Sequence, residues 1–232
     1  MEVKEQRSKA GLHLNIKKTK IMTAELHNLN VDNEDTETVR DFCLPLFSHH
    51  VNGDCSQEIK RRLRLGRAAM KELGKIIKCK EVSLEAKAKI IHTLVFPIAM
   101  YKCESWTVKK ADRKKIDSFE IWCWRRALWI LWTARKVNKW VLEQIKPELL
   151  LEAKMIKLRL SYFGHIMRRQ DSLEKTIMLG KVEGSRKRGR PNMRWIDSIK
   201  EAIGMSLQKL SRTVEYRTLK TSLINRVARS QS

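Results

Sequence analysis

Residues 54–78, DCSQEIKRRLRLGRAAMKELGKIIK, decide the fold class. Ile59, Leu63, Gly66, Met70, Leu73 and Ile77 recur at steps of three and four, the spacing that puts side chains on one face of an α-helix. Asp54 followed by Gln57 suits a capping box that satisfies the free N–H groups of the first turn. The remaining face carries Lys60, Arg61, Arg62, Arg64, Arg67, Lys71, Lys75 and Lys78 with almost no acid between them. A face that is merely solvated gains from interspersed Glu–Lys pairs, so uncompensated cations fit phosphate contact as well as they fit solvation.

Working outward, the helical period persists. Ser83 is placed to cap a second helix whose buried stripe is Leu84, Ala88, Ile91, Val95 and Ile98, with Pro97 kinking it. A third helix is expected over 111–133, apolar around most of its circumference and therefore central, with Ile116, Phe119, Trp122, Cys123, Ala127 and Ile130 on one side. A fourth, over 149–169, carries Leu151, Met155, Leu158, Tyr162 and Ile166. Upstream, Gly11 is a turn, and 12–16 alternate apolar and polar residues with the period of a strand. Residues 23–54 are polar and mixed, with a hairpin signal at Asn52-Gly53. After residue 180 the pattern fades into a Gly/Arg tract and two short helical signals at 195–203 and 207–219. The expectation is a mainly α chain in three segments: 1–55 with a short β portion, a helical domain over 56–180, and a flexible basic segment over 181–232.

The chain of 232 residues holds 49 Lys+Arg against 26 Asp+Glu, a formal net charge of +23, more than solubility requires. A polyanionic partner accounts for it, DNA or RNA first, and basic runs also serve as nuclear import addresses; both point to the nucleus. Hydrophobic content of 42% suffices for a buried core. The cysteines at 43, 55, 79, 103 and 123 form no Cys-x-x-Cys pair, and no secretory leader opens the chain, so reduced thiols are expected. The strongest apolar run, 94–101, is too short to span a bilayer and contains Pro97, which speaks for an intracellular protein with no membrane partner.

Sites of chemistry are sparse. Cys43, His49, His50 and Cys55 are zinc-ligand types without the paired short loops of a zinc module. Metal-assisted phosphoryl transfer requires clustered carboxylates. Glu34-Asp35 lie in a polar stretch, and Asp112 and Asp117 neighbour Lys114 and Lys115 in a helix, as surface ion pairs do. No Gly-rich phosphate cradle is present, and His165 sits in a helix tail without a carboxylate partner in sequence. No catalytic residue, cofactor, metal or small-molecule substrate is therefore expected. Of the seven tryptophans, Trp122, Trp124, Trp129 and Trp132 fall in the most apolar helix and read as core, which leaves Trp106, Trp140 and Trp195 as candidate exposed rings. Trp195, beside Arg194, is the favoured one. Arg186, Lys187, Arg188, Arg190 and Arg194 crowd a Gly-containing tract that suits mobile phosphate contact. Within it Arg188-Gly189-Arg190-Pro191 is similar to the core of an AT-hook, whose arginines enter A·T-rich minor grooves.

Two long motifs, GHIMRRQDSLEKT at 164–176 and GSRKRGRPNMRW at 184–195, resemble the C-terminal region of the endonuclease–reverse transcriptase of LINE-type retrotransposons. AGLHLNIKKTKIM at 10–22 looks like the strand and loop that follow the polymerase active site in that family. GDCSQEIKRRL at 53–63, CESWT at 103–107 and WCWRR at 122–126 are similar to its thumb and the region beyond, in the family's order. The resemblance implies a thumb-like helical bundle with a remnant of the palm's edge. It also implies that the Tyr-Ala-Asp-Asp motif, the rest of the palm and the endonuclease precede residue 1, so that the chain alone copies nothing. Where the family has a Gly-containing hairpin, this chain has Phe42-Cys43-Leu44-Pro45-Leu46-Phe47, and 24–55 are not expected to form a sound folded unit. The resulting expectation is a nucleic-acid-binding remnant of an RNA-directed DNA polymerase. Its contacts would be Lys60, Arg61, Arg62, Arg64, Arg168, Arg169, Arg186, Lys187, Arg188, Gly189, Arg190, Arg194 and Trp195. The alternatives are an A·T-preferring DNA binder centred on Arg188, Gly189 and Arg190, or an expressed relic.

Overall fold

The computed structural model describes residues 54–169, 172–179 and 193–215, and nearer the N-terminus residues 11, 15, 20–22, 29–31, 34–39, 41–44 and 47–50. The chain forms two compact units, Met1–Glu58 and Ile59–Ser232. In the first, Gly11 takes a positive φ of 70°, as its turn requires. Of the strand expected at 12–16 only Asn15 is described, and it lies in no strand. Short strands do occur further on: β1 (Lys20–Met22), β2 (Leu29–Val31), β3 (Glu34–Val39), β4 (Asp41–Leu44) and β5 (Phe47–His50). β3 is central, parallel to β1 and antiparallel to β2, while β4 and β5 form an antiparallel pair with Phe42 opposite His49 and Cys43 opposite Ser48. Periodicity did not announce them, because strands of three to six residues in a polar segment carry too few alternations to read.

Every regular element described in the second unit is a helix. Helix α1 (Ser56–Glu72) begins where Asp54 Oδ1 accepts the Ser56 N–H at 3.0 Å. It buries Ile59, Leu63, Gly66 and Met70, and after a break at Leu73 the short α2 (Gly74–Lys78) buries Ile77. Gly66 is there for proximity: a Cβ would lie 2.7 Å from Phe119 Cζ and 3.3 Å from Ala99 Cβ, so only hydrogen lets α1 pack this closely.

Ser83 caps α3 (Leu84–Ile90), accepting the Ala86 N–H. The helix then widens into a π segment, Ile91–Val95, before α4 (Phe96–Met100), which carries Pro97 in its first turn. Pro97 has no N–H for the Thr93 carbonyl, and its ring crowds that carbonyl, so the ladder loosens one turn upstream. A 3-10 turn, Cys103–Ser105, leads to the central α5 (Lys110–Ala127), then a 3-10 turn at Trp132–Ala134, α6 (Asn138–Ile145) and α7 (Leu151–Met167). Phe96, Phe119, Cys123, Trp124, Leu151 and Leu160 are all fully buried, and Phe96 meets Trp124 edge to face at 5.3 Å.

The boundary expected near residue 180 does not appear. α8 (Leu173–Met178) is capped by Ser172; α9 (Trp195–Ile203) and α10 (Leu207–Glu215) lie against α7. Ile196, Ile199 and Leu210 join Ile156, Leu160, Phe163, Ile166 and Met167 in one apolar cluster. Both short helices are sharply two-faced and would expose those residues if left alone, so they fold onto the remaining apolar stripe of α7. Arg159, buried in α7, donates to Ser198 Oγ and to the Trp195 carbonyl, which ties α9 in place.

Candidate nucleic-acid interface

α5 ends differently from the sequence expectation, and that ending shapes the candidate site. The apolar run Ala127-Leu128-Trp129-Ile130-Leu131 contains no Gly or Pro to stop a helix, yet Trp129 adopts a left-handed φ of 57°. The Ile130 N–H bonds the Arg125 carbonyl at 3.0 Å and the Trp129 N–H bonds the Arg126 carbonyl at 3.3 Å, the two bonds of a Schellman motif. Its left-handed position usually belongs to Gly; here it holds an indole, at a cost of about 1–2 kcal/mol. A bond from Trp129 Nε1 to the Ile77 carbonyl, 3.0 Å, sets the ring against α2. The chain then reverses, and Arg125 clips it back by donating to the Lys136 carbonyl and to Asn138 Oδ1.

This reversal opens a cleft of about 1010 Å3 between α1, α2 and α5. Arg67, Lys78, Arg125, Arg126, Arg135 and Lys136 line it, beside Trp122, Trp129 and Leu131. A second cavity of about 380 Å3 is lined by Lys60, Arg64, Arg67, Lys114, Lys115 and Ser118, sharing Arg67 and Ser118 with the first. Among the described residues no Asp or Glu lines either one. Lys115 is paired with Asp112 at 2.6 Å. Arg67 and Arg126 lie over the Trp122 ring at 5.9 and 4.8 Å, with Phe119 stacked on it at 6.2 Å. Planar cations held on an indole retain N–H groups for an anion.

The predicted contacts divide. Lys60 and Arg64 are exposed beside the second cavity, and Arg61 is half-buried. Arg62, expected on the outer face, is buried at 5% exposure with its guanidinium 4.3 Å from the centre of the Tyr101 ring. The cause is helical phase: position 62 falls beside Ile59, Leu63 and Gly66 on the inner stripe. Arg168 and Arg169 are exposed at the end of α7, with Arg169 3.8 Å from Glu174. Arg194 is exposed but forked onto Asp197, Nε to Oδ2 at 2.8 Å and an Nη to Oδ1 at 3.3 Å, and these bonds hold the Asp197 carboxyl down at about 2. Arg186, Lys187, Arg188, Gly189 and Arg190 lie outside the described residues.

The tryptophans depart from expectation in both directions. Trp106 is fully buried. Trp195 is half-buried against Tyr162 and Phe163, with Nε1 bonded to the Glu104 carbonyl at 2.8 Å, so it is a packing residue that joins α9 to the bundle. Trp140 is half-buried with Lys136 Nζ 5.0 Å above it. Trp124 is core, as read, whereas Trp129 is 49% exposed and Trp122 half-buried. Arg125, Arg126, Arg135 and Lys136 were missed. The dense Arg-Arg and Arg-Lys pairs were legible, but their convergence on Arg67 and Lys78 comes from the reversal after Ala127.

Polar groups in the core of the second unit serve folding. Glu120 is 3% exposed; its Oε1 accepts Trp124 Nε1–H at 3.1 Å and its Oε2 accepts the Leu151 N–H at the start of α7 at 2.8 Å. Burial pushes its carboxyl up to about 7. His92 sits 2.7 Å from Lys154 Nζ, and burial together with that ammonium lowers it to about 4. Burial raises the thiols of Cys103, to about 12, and Cys123, which makes both poor nucleophiles. Asp112 is buried, contrary to the surface reading, while Glu152 pairs with Arg113 at 3.3 Å. Among the described residues no group of three or more metal-ligating side chains occurs, and no helix is long and apolar enough to cross a membrane. Compared with protein-family models, curated proteins and solved structures, the chain matches none.

Proposed function

We propose that this protein binds nucleic acid through the sugar-phosphate backbone, along a cationic track running from Lys60 and Arg64 on α1, through Arg67, to Arg126 near the end of α5 and Lys136 just before α6. The observation that carries the reading is the pair of adjoining cavities lined by Lys and Arg with no carboxylate among their described lining residues. Cations so arranged repel one another, and the repulsion is relieved when a polyanion binds them and sheds its condensed counterions to solvent. In this reading the chain is a thumb-like remnant of a LINE-type reverse transcriptase, acting in the nucleus and holding a strand without copying it. The sequence motifs support the lineage and the cationic track supports the binding. Phosphate contacts position a partner without reading its bases, so little sequence preference is expected.

The test is the salt dependence of oligonucleotide binding by the full chain. Each phosphate neutralised on a single strand contributes a slope of about −0.7 in log affinity against log salt, and about −0.9 on duplex DNA. Substituting Lys60, Arg64 and Arg126 together by Ala should make the single-strand slope shallower by roughly two. A flat salt response in the unsubstituted chain, or an unaltered slope in the variant, would overturn the proposal.

A further inference from the structure

We infer that Trp129 is the stacking platform for an unpaired base, and hence that the partner of the cationic cleft is a single-stranded nucleic acid rather than a closed duplex. The inference rests on the phosphate-binding reading above and adds the ligand class. Trp129 is 49% exposed within a cleft of about 1010 Å3, beside Arg126, Arg135 and Lys136. Its indole is positioned and still half open to solvent: Nε1 is bonded to the Ile77 carbonyl and the residue is 49% exposed. Trp122 in the same cleft is already covered, by Phe119 and by the guanidiniums of Arg67 and Arg126.

The backbone points the same way. A left-handed position closing a helix favours Gly, and an indole there lowers the helix stop's stability while bringing an aromatic face into a cationic cleft. Cations alone would hold the phosphates of a duplex or a single strand alike. A half-exposed indole among them offers a stacking surface to a base whose π-face is free, which the paired interior of a duplex does not present. Leu131, 73% exposed on the same wall, extends the apolar surface on which a base can rest.

The experiment compares two single-stranded DNA oligomers of equal length and charge, one with all its bases and one carrying abasic sugars throughout its centre, bound to the full chain. The base-bearing strand should bind about 5- to 150-fold more tightly, the range corresponding to about 1–3 kcal/mol for one stacked base. Trp129→Gly removes the ring and its bond to the Ile77 carbonyl while relieving the left-handed backbone; it should abolish that ratio and leave the salt slope unchanged. Trp129→Phe, which keeps a ring but loses the Nε1–H that sets it against α2, should keep part of the ratio. Equal affinity of the two strands for the unsubstituted chain overturns the inference without any variant, and a ratio that survives Trp129→Gly overturns the assignment to this ring. Phosphate binding with a steep salt slope but no base preference would sink the stacking inference alone, whereas a flat salt response would sink the phosphate reading beneath it.

Discussion

Replacing Glu120 by Gln should remove the fall in stability that this carboxyl imposes as pH rises from about 4.5 to 7. Burial raises the Glu120 carboxyl from an ordinary 4.5 to about 7, so between those values the folded chain holds a proton that the unfolded chain releases. Where the native state binds more protons, stability falls as pH rises. The contribution is fully present below about 4.5 and is lost as pH rises through about 7. A difference of about 2.5 units corresponds to about 3 kcal/mol, and Glu120 is buried enough that solvent screening removes little of it. Gln has no charge to desolvate and does not incur that loss. It does incur another: both carboxylate oxygens accept N–H groups, from Trp124 and from Leu151, while a carboxamide offers one oxygen and sets its NH2 against the other donor. One buried donor left unmet costs about 1–3 kcal/mol.

Glu120→Gln should therefore be less stable than the natural chain by about 1–3 kcal/mol at pH 4, and more stable than it by up to about 2 kcal/mol at pH 8. His92 runs the opposite way, because its lowered value gives stability that is present above 6.5 and lost as pH falls towards 4. It is common to both proteins and cancels in the difference to first order. Urea unfolding followed by tryptophan fluorescence at the two pH values measures the crossover. Parallel pH profiles for the two proteins would refute the reasoning, since Glu120 would then be ionised in the native state at ordinary pH.

Two further substitutions probe packing. Gly66→Leu should lower stability by about 1–3 kcal/mol or more despite the better helix propensity of Leu, because the first added carbon already overlaps Phe119; an unchanged or raised melting temperature would show that α1 does not sit this close to α5. Trp195→Phe should leave oligonucleotide affinity unchanged, while Trp195→Ala should lower stability by about 3 kcal/mol by removing the ring that packs on Tyr162 and Phe163; weakened binding by a stably folded Trp195→Phe would restore this ring to the interface.

Helix existence was legible wherever an apolar stripe recurred with local start signals. Ile59, Leu63, Gly66 and Met70 specified α1, Ser83 specified the start of α3, and Pro97 the distortion near it, because capping and periodicity are interactions within a few residues along the chain. What failed was stop and phase. The run at 127–131 holds neither Gly nor Pro, so nothing local announced the left-handed residue at Trp129. A count of charges likewise placed Arg62 outside, although its angular position is beside Leu63.

By itself, then, the sequence determined a mainly α second unit and a strongly cationic chain, since both follow from residue spacing and composition. Only the tertiary structure decided which cations act together. Arg67 and Lys78 on α1 and α2 meet Arg126, Arg135 and Lys136 because the chain reverses after Ala127 and Arg125 clips it back. It also decided that α9 and α10 belong with α7 and that Trp195 is packed while Trp129 faces solvent. The physical reason is distance along the chain: a cavity or a buried ring is made by groups dozens of residues apart, and periodicity carries no information about which faces will meet.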